Sequence, residues 1–183
     1  MKVKSLALTL GIAAALCVPL HHSFAAEEDA GAAKATAAEK AFIKKAADGG
    51  MMEVEMGQLA AEKGGSDAVK DFGSQMVKDH GKANDELKEV AGKMGVTVPA
   101  KISAKHQAMI TKMSDMSGAA FDNAYVPDMV KDHKKDIAEF EAAQKMVKNE
   151  DLKKFIDSTL ETMKDHLQKI EKFDQAAGQE KKG

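Results

Sequence analysis

The sequence contains no tryptophan, one tyrosine, one cysteine and three prolines among its 183 residues. Aromatic residues make up only 4% of the chain, and no run of alternating β-branched residues occurs. Strands favour aromatic and β-branched residues, whereas the abundant alanine, lysine, glutamate and methionine favour helices. The composition therefore predicts an all-α protein without strands.

Two classes of functional site lack support in the sequence. There is no Gly-x-Ser-x-Gly motif, and no glycine-rich phosphate loop is present. The formal net charge is −2, with charges of both signs mixed along the chain. Nucleic-acid binding needs a basic surface, so nucleic acid is not an expected partner.

The N-terminus has the pattern of a secretory signal peptide. A basic start is followed by an apolar run over 6–20 and by Ser23-Phe24-Ala25, after which acidic residues begin. The apolar run is too short for a membrane span. We predict cleavage near Ala25, which removes the single cysteine, Cys17. The mature chain is then periplasmic or secreted, with envelope association as an alternative, and it has no transmembrane segment.

Five amphipathic helices are predicted, over about 36–63, 66–94, 103–116, 119–148 and 151–177. Thr36 and Glu39 have capping-box spacing, and Ser66 is a suitable N-cap for the second helix. Pro127 is expected in the first turns of the fourth helix, where it begins or bends that helix. Asn149 is expected to end it.

Short connections after the first and fourth helices predict two antiparallel hairpins, joined by a crossover of about 25 residues that contains the short helix. This connectivity is that of a ferritin-like four-helix bundle. The predicted organisation is a signal peptide at 1–25, a flexible leader at 26–36, the bundle at 37–177 and a disordered tail at 178–183.

The tripeptide Lys-Asp-His occurs three times, ending at His80, His133 and His166. Each histidine takes the place of an apolar residue in the inward stripe of a long helix. In an antiparallel hairpin, His133 and His166 face each other within about 1.5 Å of helical rise. On the first helix, Glu53 falls at a similar height to His80, although Val54 or Glu55 could face inward instead.

One polar residue from each of four helices, meeting inside a bundle, is the arrangement that builds metal sites. We predict that one divalent transition metal, which could be zinc, copper or iron, binds Glu53, His80, His133 and His166. A di-iron centre is disfavoured because valine or methionine stands three residues before each histidine, where that centre needs glutamate.

Two other functions stay open, and no catalytic residue is assigned. The histidines could form a purely structural polar network in a non-enzymatic envelope or stress protein. The chain could also be a redox or oxygen-handling metalloenzyme. The aspartates that precede the histidines point about 100° away around each helix. We expect Asp79, Asp132 and Asp165 in solvent, with a metal-supporting role for one of them as the alternative. His106 is expected at the surface.

Segments 52–60, 69–80 and 118–125, together with His133 and His166, resemble a bacterial exported family. This ferritin-like family is filed as a domain of unknown function and often labelled as an outer membrane protein. The resemblance covers about 38–175. It implies a ferritin-like bundle in the periplasm or envelope and no established activity. The glutamate and three histidines of the family correspond to Glu53, His80, His133 and His166.

Overall fold

The structure, a computed structural model, describes residues 34–180. Within this range the chain is helical and contains no strand, which confirms the predicted all-α class. The predicted signal peptide, positions 26–33 of the leader and residues 181–183 lie outside the described residues. The helices are α1 (Ala37–Lys63), α2 (Asp67–Lys93), α3 (Ala104–Ser114), α4 (Gly118–Met146) and α5 (Glu150–Glu180).

Side-chain caps fix the start of α1 and α2 as predicted. Thr36 Oγ1 accepts a hydrogen bond from Glu39 N, and the Glu39 carboxylate accepts one from Thr36 N at 2.9 Å, which completes the capping box. Ser66 Oγ accepts a hydrogen bond from Val69 N in the first turn of α2. These bonds satisfy amide groups that have no partner inside the helix.

Helix α4 differs from the prediction at both ends. It begins at Gly118, one residue before the predicted start, and Pro127 lies in its third turn, so Pro127 does not begin the helix. It ends at Met146, before the predicted end at 148. Asn149 therefore does not end α4. Instead its Oδ1 accepts a hydrogen bond from Leu152 N at 2.9 Å, so Asn149 caps α5.

Each short turn between long helices is tied to a helix of the other hairpin by a carboxylate. Glu39 of α1 accepts hydrogen bonds from both amides of 148–149, at 3.1 and 3.2 Å. Asp122 of α4 accepts hydrogen bonds from both amides of 65–66, at 2.8 and 2.9 Å. These two contacts fix the relative heights of the hairpins, and so the heights of side chains in the core.

The four long helices form a closed ring, in which α1 packs against α2 and α4, and α5 also packs against α2 and α4. The short α3 lies against α1 and α4. Gly57 of α1 and Gly73 of α2 bring two backbones together. A Cβ atom on Gly73 would lie 2.6 Å from the Gly57 carbonyl oxygen, so only glycine allows this close approach.

Two apolar clusters fill the bundle. We name them the α4–α5 turn cluster and the α1–α2 turn cluster. The main members of the first are Phe42, Ile43, Leu87, Ile137, Phe140, Leu152, Phe155, Ile156, Leu160 and Met163. The main members of the second are Met52, Met56, Phe72, Met76, Ile110, Phe121, Tyr125, Met129, Val130 and Ile170.

The order of the clusters gives the helix directions. Along α1 and α5 the α4–α5 turn cluster comes first, whereas along α2 and α4 it comes second. Helices α1 and α5 therefore run antiparallel to α2 and α4. On α2, α4 and α5 the position between the two clusters is occupied by His80, His133 and His166, all of which are buried.

The outer faces of the helices are polar. Among residues 34–174, Met146 is the one large apolar side chain that is exposed. Within 34–180, no helix is both long enough and apolar enough to cross a membrane.

Candidate metal centre

The three histidines of the repeated tripeptide meet at the centre of the bundle. Their ring centroids are 5.4 Å apart for His80 and His166, 5.6 Å for His133 and His166, and 5.9 Å for His80 and His133. One ring nitrogen from each lies within 4.8 Å of the other two. The side chains are 6% exposed or less, so the triangle is buried in the bundle.

Glu53 reaches the same layer from α1. It is 2% exposed, whereas Glu55 is exposed and Val54 is half-buried, so the stripe that contains Glu53 faces the core. Its Oε1 lies 3.9 Å from His133 Nδ1, too far for a hydrogen bond. Within the described part of the chain, the three imidazoles form the one group of three or more potential ligands whose atoms all lie within 4.8 Å of one another. Glu53 therefore lies at the edge of the triangle, beside one ring.

Two of the rings are held by hydrogen bonds on one side. His133 Nδ1 lies 3.0 Å from the Met129 carbonyl oxygen, which can only accept, so Nδ1 donates and Nε2 keeps a lone pair. His166 Nε2 donates to Asp79 Oδ2 at 3.0 Å, which leaves the lone pair on Nδ1. These two lone-pair nitrogens and His80 Nε2 have no hydrogen-bond partner among residues 34–180. Metal-binding histidines are typically held in this way, through the nitrogen that does not face the metal.

The three imidazoles are neutral at physiological pH. Burial, together with the neighbouring His133 and His166 rings, lowers the pKa of His80 to about 3. Burial and the nearby His166 lower the pKa of His133 to about 4. Burial also lowers the pKa of His166, although its bond to Asp79 opposes this shift. Because only a neutral imidazole offers a lone pair, these shifts favour metal binding.

Glu53 is held toward its protonated form. Burial raises its pKa well above the usual range, and the carboxylates of Asp136 and Asp132 raise it further. Burial likewise raises the pKa of Tyr125, with a further contribution from Glu53. Tyr125 is fully buried, and its hydroxyl has no hydrogen-bond partner within the described range. Tyr125 was not among the predicted site residues, although it is the single tyrosine of the chain.

The spacing of the rings is close to that of a metal site. Bonds of about 2.0–2.1 Å from zinc to each nitrogen place tetrahedral ligand atoms about 3.4 Å apart. The potential ligand atoms here lie within 4.8 Å of one another, so the rings would have to move inward by at most roughly 1 Å. Three imidazoles suit zinc, copper or iron, and a set of three protein ligands leaves one coordination position open.

A family model described as Domain of unknown function (DUF4142) matches residues 24–173. The chain belongs to the DUF4142 family. The predicted resemblance to an exported family of unknown function is confirmed as to family. No curated protein and no solved structure is similar enough to the chain to match.

In this DUF4142 chain, the exposure of the three aspartates that precede the histidines differs from the prediction. Asp79 is not fully in solvent: it is half-buried and bonds His166 across the α2–α5 contact, while Gln75 donates to it at 3.2 Å. Burial alone would raise the pKa of Asp79, but these hydrogen bonds lower it. Asp132 is half-buried as well, whereas Asp165 is exposed as predicted. Since the three tripeptides are identical, the sequence cannot tell which aspartate supports a histidine.

His106 is also less exposed than predicted for this DUF4142 protein. Its side chain is only 16% exposed, and its Nδ1 lies 3.0 Å from Asp48 Oδ2. Asp48 also accepts a hydrogen bond from Ser103 N at 2.6 Å, at the start of α3. Asp48 thus ties α3 to α1, which brings His106 near the core although it lies on the crossover.

Proposed function

We propose that this DUF4142 protein binds one divalent transition metal through His80, His133 and His166, and that Glu53, the fourth predicted member of the site, lies beside the open coordination position. The observation that carries the proposal is the set of three unpaired lone-pair nitrogens in a layer that separates two apolar clusters. A buried nitrogen without a partner destabilises the fold, and one cation bound by all three would remove that cost.

The surrounding chain supports the same role. The Met129 carbonyl and the Asp79 carboxylate fix the orientation of two rings. When bound, a divalent metal with an open position would act as a Lewis acid toward a small ligand. A purely structural network would instead be expected to pair its ring nitrogens with each other or with Glu53. The missing Glu-x-x-His motifs continue to count against a di-iron oxidase.

We also propose that the fold is ferritin-like and that the protein is exported. The parallel course of α2 and α4, joined by a long crossover that contains α3, supports the ferritin-like arrangement. The basic start, apolar run and small-x-Ala pattern before residue 26 support export. The proposed location is the periplasm or the extracellular space.

Thermal melting in the presence and absence of metal tests the binding proposal. Zinc at about 1,000 times its Kd would stabilise the folded protein by about 4 kcal/mol, because it binds the folded state alone. We expect a chelator to lower the Tm of the wild type and to leave that of His133→Ala unchanged. His106→Ala, which removes a histidine outside the layer, should behave as the wild type. A wild-type Tm that does not respond to zinc, copper or iron would contradict the proposal.

A further inference from the structure

A cavity of about 50 Å³ lies against the histidine layer. Its inner end is formed by Glu53 and His80, and its wall by phenylalanines of the α4–α5 turn cluster. Lys135 and Asp136, which are partly exposed, also line it, so the cavity extends from the bundle surface to the layer. One water needs about 10–15 Å³ of this kind of space, so a molecule of two or three non-hydrogen atoms fits.

Gly49, in the middle of α1, leaves part of this space open. The helix is continuous through Gly49 and Gly50, each of which costs about 1 kcal/mol relative to alanine. A Cβ atom on Gly50 would lie 2.1 Å from Asn84 Oδ1, so this glycine makes room for the Asn84 side chain. A Cβ atom on Gly49 would approach only Asp136 Oδ2, at 3.8 Å, and would therefore project into open cavity.

The inner end of the cavity carries polar atoms without partners. Glu53 Oε2 and His80 Nε2 are buried, and neither has a hydrogen-bond partner among the described residues. At the outer end, Lys135 pairs with Asp136 at 2.9 Å and Lys45 pairs with Glu139 at 2.8 Å, so the charges there balance. A divalent cation held by three neutral imidazoles would keep its full charge of two, so a small anion would be attracted to the inner end of the cavity.

We propose that the cavity admits a small anion, or its conjugate acid, of two or three non-hydrogen atoms to the open position beside the three histidines. Glu53 contacts this external ligand through a hydrogen bond and does not itself complete the metal coordination. The inference rests on the proposed metal site and goes further, because it assigns the fourth position to a molecule from solution.

Cobalt(II) and azide provide a direct test. Cobalt(II) replaces zinc in three-histidine sites and has visible absorption bands that report its ligands, and azide has three non-hydrogen atoms. The wild type should bind one cobalt per chain, and azide should then shift the visible bands in a saturable titration. Gly49→Leu, which places a larger side chain in the cavity without replacing a proposed metal ligand, should bind cobalt normally and azide about tenfold more weakly or worse. Gly92→Leu, at an exposed helical glycine with no heavy atom within 4 Å of its Cβ position, is the matched control and should titrate as the wild type.

The possible failures are distinguishable. If cobalt does not bind the wild type, the metal site and the cavity proposal both fail. If cobalt binds but azide leaves the visible bands unchanged, the cavity proposal alone is wrong, whatever happens to the variants. Azide binding of equal strength in the wild type and in a folded Gly49→Leu would also overturn it, because the ligand would then reach the metal by another route.

Discussion

The two sides of the histidine layer differ in how they bury it. On the side of the α1–α2 turn cluster, methionines and aromatic rings close the layer, and the Phe72 ring meets the His166 ring edge-on with centroids 5.9 Å apart. On the side of the α4–α5 turn cluster, Phe42 and Phe140 pack edge-on at 4.9 Å, yet a cavity of about 50 Å³ remains between this cluster and the layer.

The closed side of the histidine layer contributes mainly to the stability of the fold, whereas the open side leaves space beside the histidines. On the closed side, the Met129 carbonyl accepts a hydrogen bond from His133 and so fixes the orientation of that ring. Met129 is a fully buried residue of the α1–α2 turn cluster. The open side is less tightly packed, and Gly49 stands in the middle of α1 where a larger residue would fill the space. Removing atoms should therefore be costly on the closed side, whereas adding atoms at Gly49 on the open side should be tolerated.

The largest expected effect is on the closed side. Met129→Ala removes a fully buried side chain and should destabilise the protein by about 2–5 kcal/mol. Urea unfolding of the metal-free protein measures the change. Met146→Ala, at a methionine that is 50% exposed on the same helix, should change stability by less than about 0.5 kcal/mol. Equal effects at the two positions would remove the basis of the comparison.

The second largest expected effect is that acid destabilises the metal-free protein through the histidine layer. The folded pKa values of His80 and His133, about 3 and about 4, lie below the unfolded value of 6.5. The unfolded chain therefore binds more protons as the pH falls below 6.5, and each such histidine removes about 1.4 kcal/mol of stability per pH unit. Glu53, whose pKa is raised, has the opposite effect, since the folded state then binds the extra proton.

Unfolding free energies measured between pH 7 and pH 4.5 check this sign. We expect a decline toward acid that is shallower in His80→Leu and steeper in Glu53→Gln. A wild-type stability that is flat over this range would show that the layer is not the pH-sensitive element. Carboxylates with lowered pKa values, such as Asp79, lose their contribution to the unfolding free energy at lower pH. They therefore have little effect on the change measured between pH 7 and pH 4.5.

A smaller effect is expected at the aspartate that holds His166. Asp79→Asn should weaken metal binding by about 10–100-fold, the usual cost of removing such a support, while leaving one metal per chain at saturation. Competition with a coloured chelator gives the affinity. Asp165→Asn, in the identical tripeptide but exposed, is the control and should bind as the wild type. If both variants bind equally well, the Asp79 contact does not support the site.

The smallest effect is expected on the open side. Gly49→Ala should stabilise the protein by up to about 1 kcal/mol, because alanine favours the helix and its Cβ atom has room. Gly50→Ala, one position along, should be destabilising because the new methyl group would displace the Asn84 side chain. Thermal melting distinguishes the two. If Gly49→Ala lowers the Tm as much as Gly50→Ala does, the space beside Gly49 is not open.

The helical repeat made most of the layer predictable. On α2, α4 and α5 a single apolar stripe is present, so the inward direction of His80, His133 and His166 could be predicted from periodicity alone. Turn lengths then gave their heights. On α1 two stripes compete, and only packing against the other helices shows that Glu53 faces inward and Glu55 does not.

Contacts between distant segments could not be predicted in the same way. Asp79 reaches His166 because α2 and α5 are neighbours, and the local sequence around each tripeptide does not show which helices are neighbours. Glu39 shows a similar limit, since its spacing from Thr36 predicts the cap but not its bonds to the α4–α5 turn. The cavity depends on which side chains fill the space between helices, and a stripe pattern does not encode volume.

Elemental analysis of the purified protein tests the central claim most directly. After exposure to zinc, copper and iron and removal of loosely bound ions, we predict one divalent metal ion per wild-type chain and close to none in His133→Ala. His106→Ala should retain the full content. A wild type without bound metal, or a His133→Ala variant that retains as much metal as the wild type, would contradict the account.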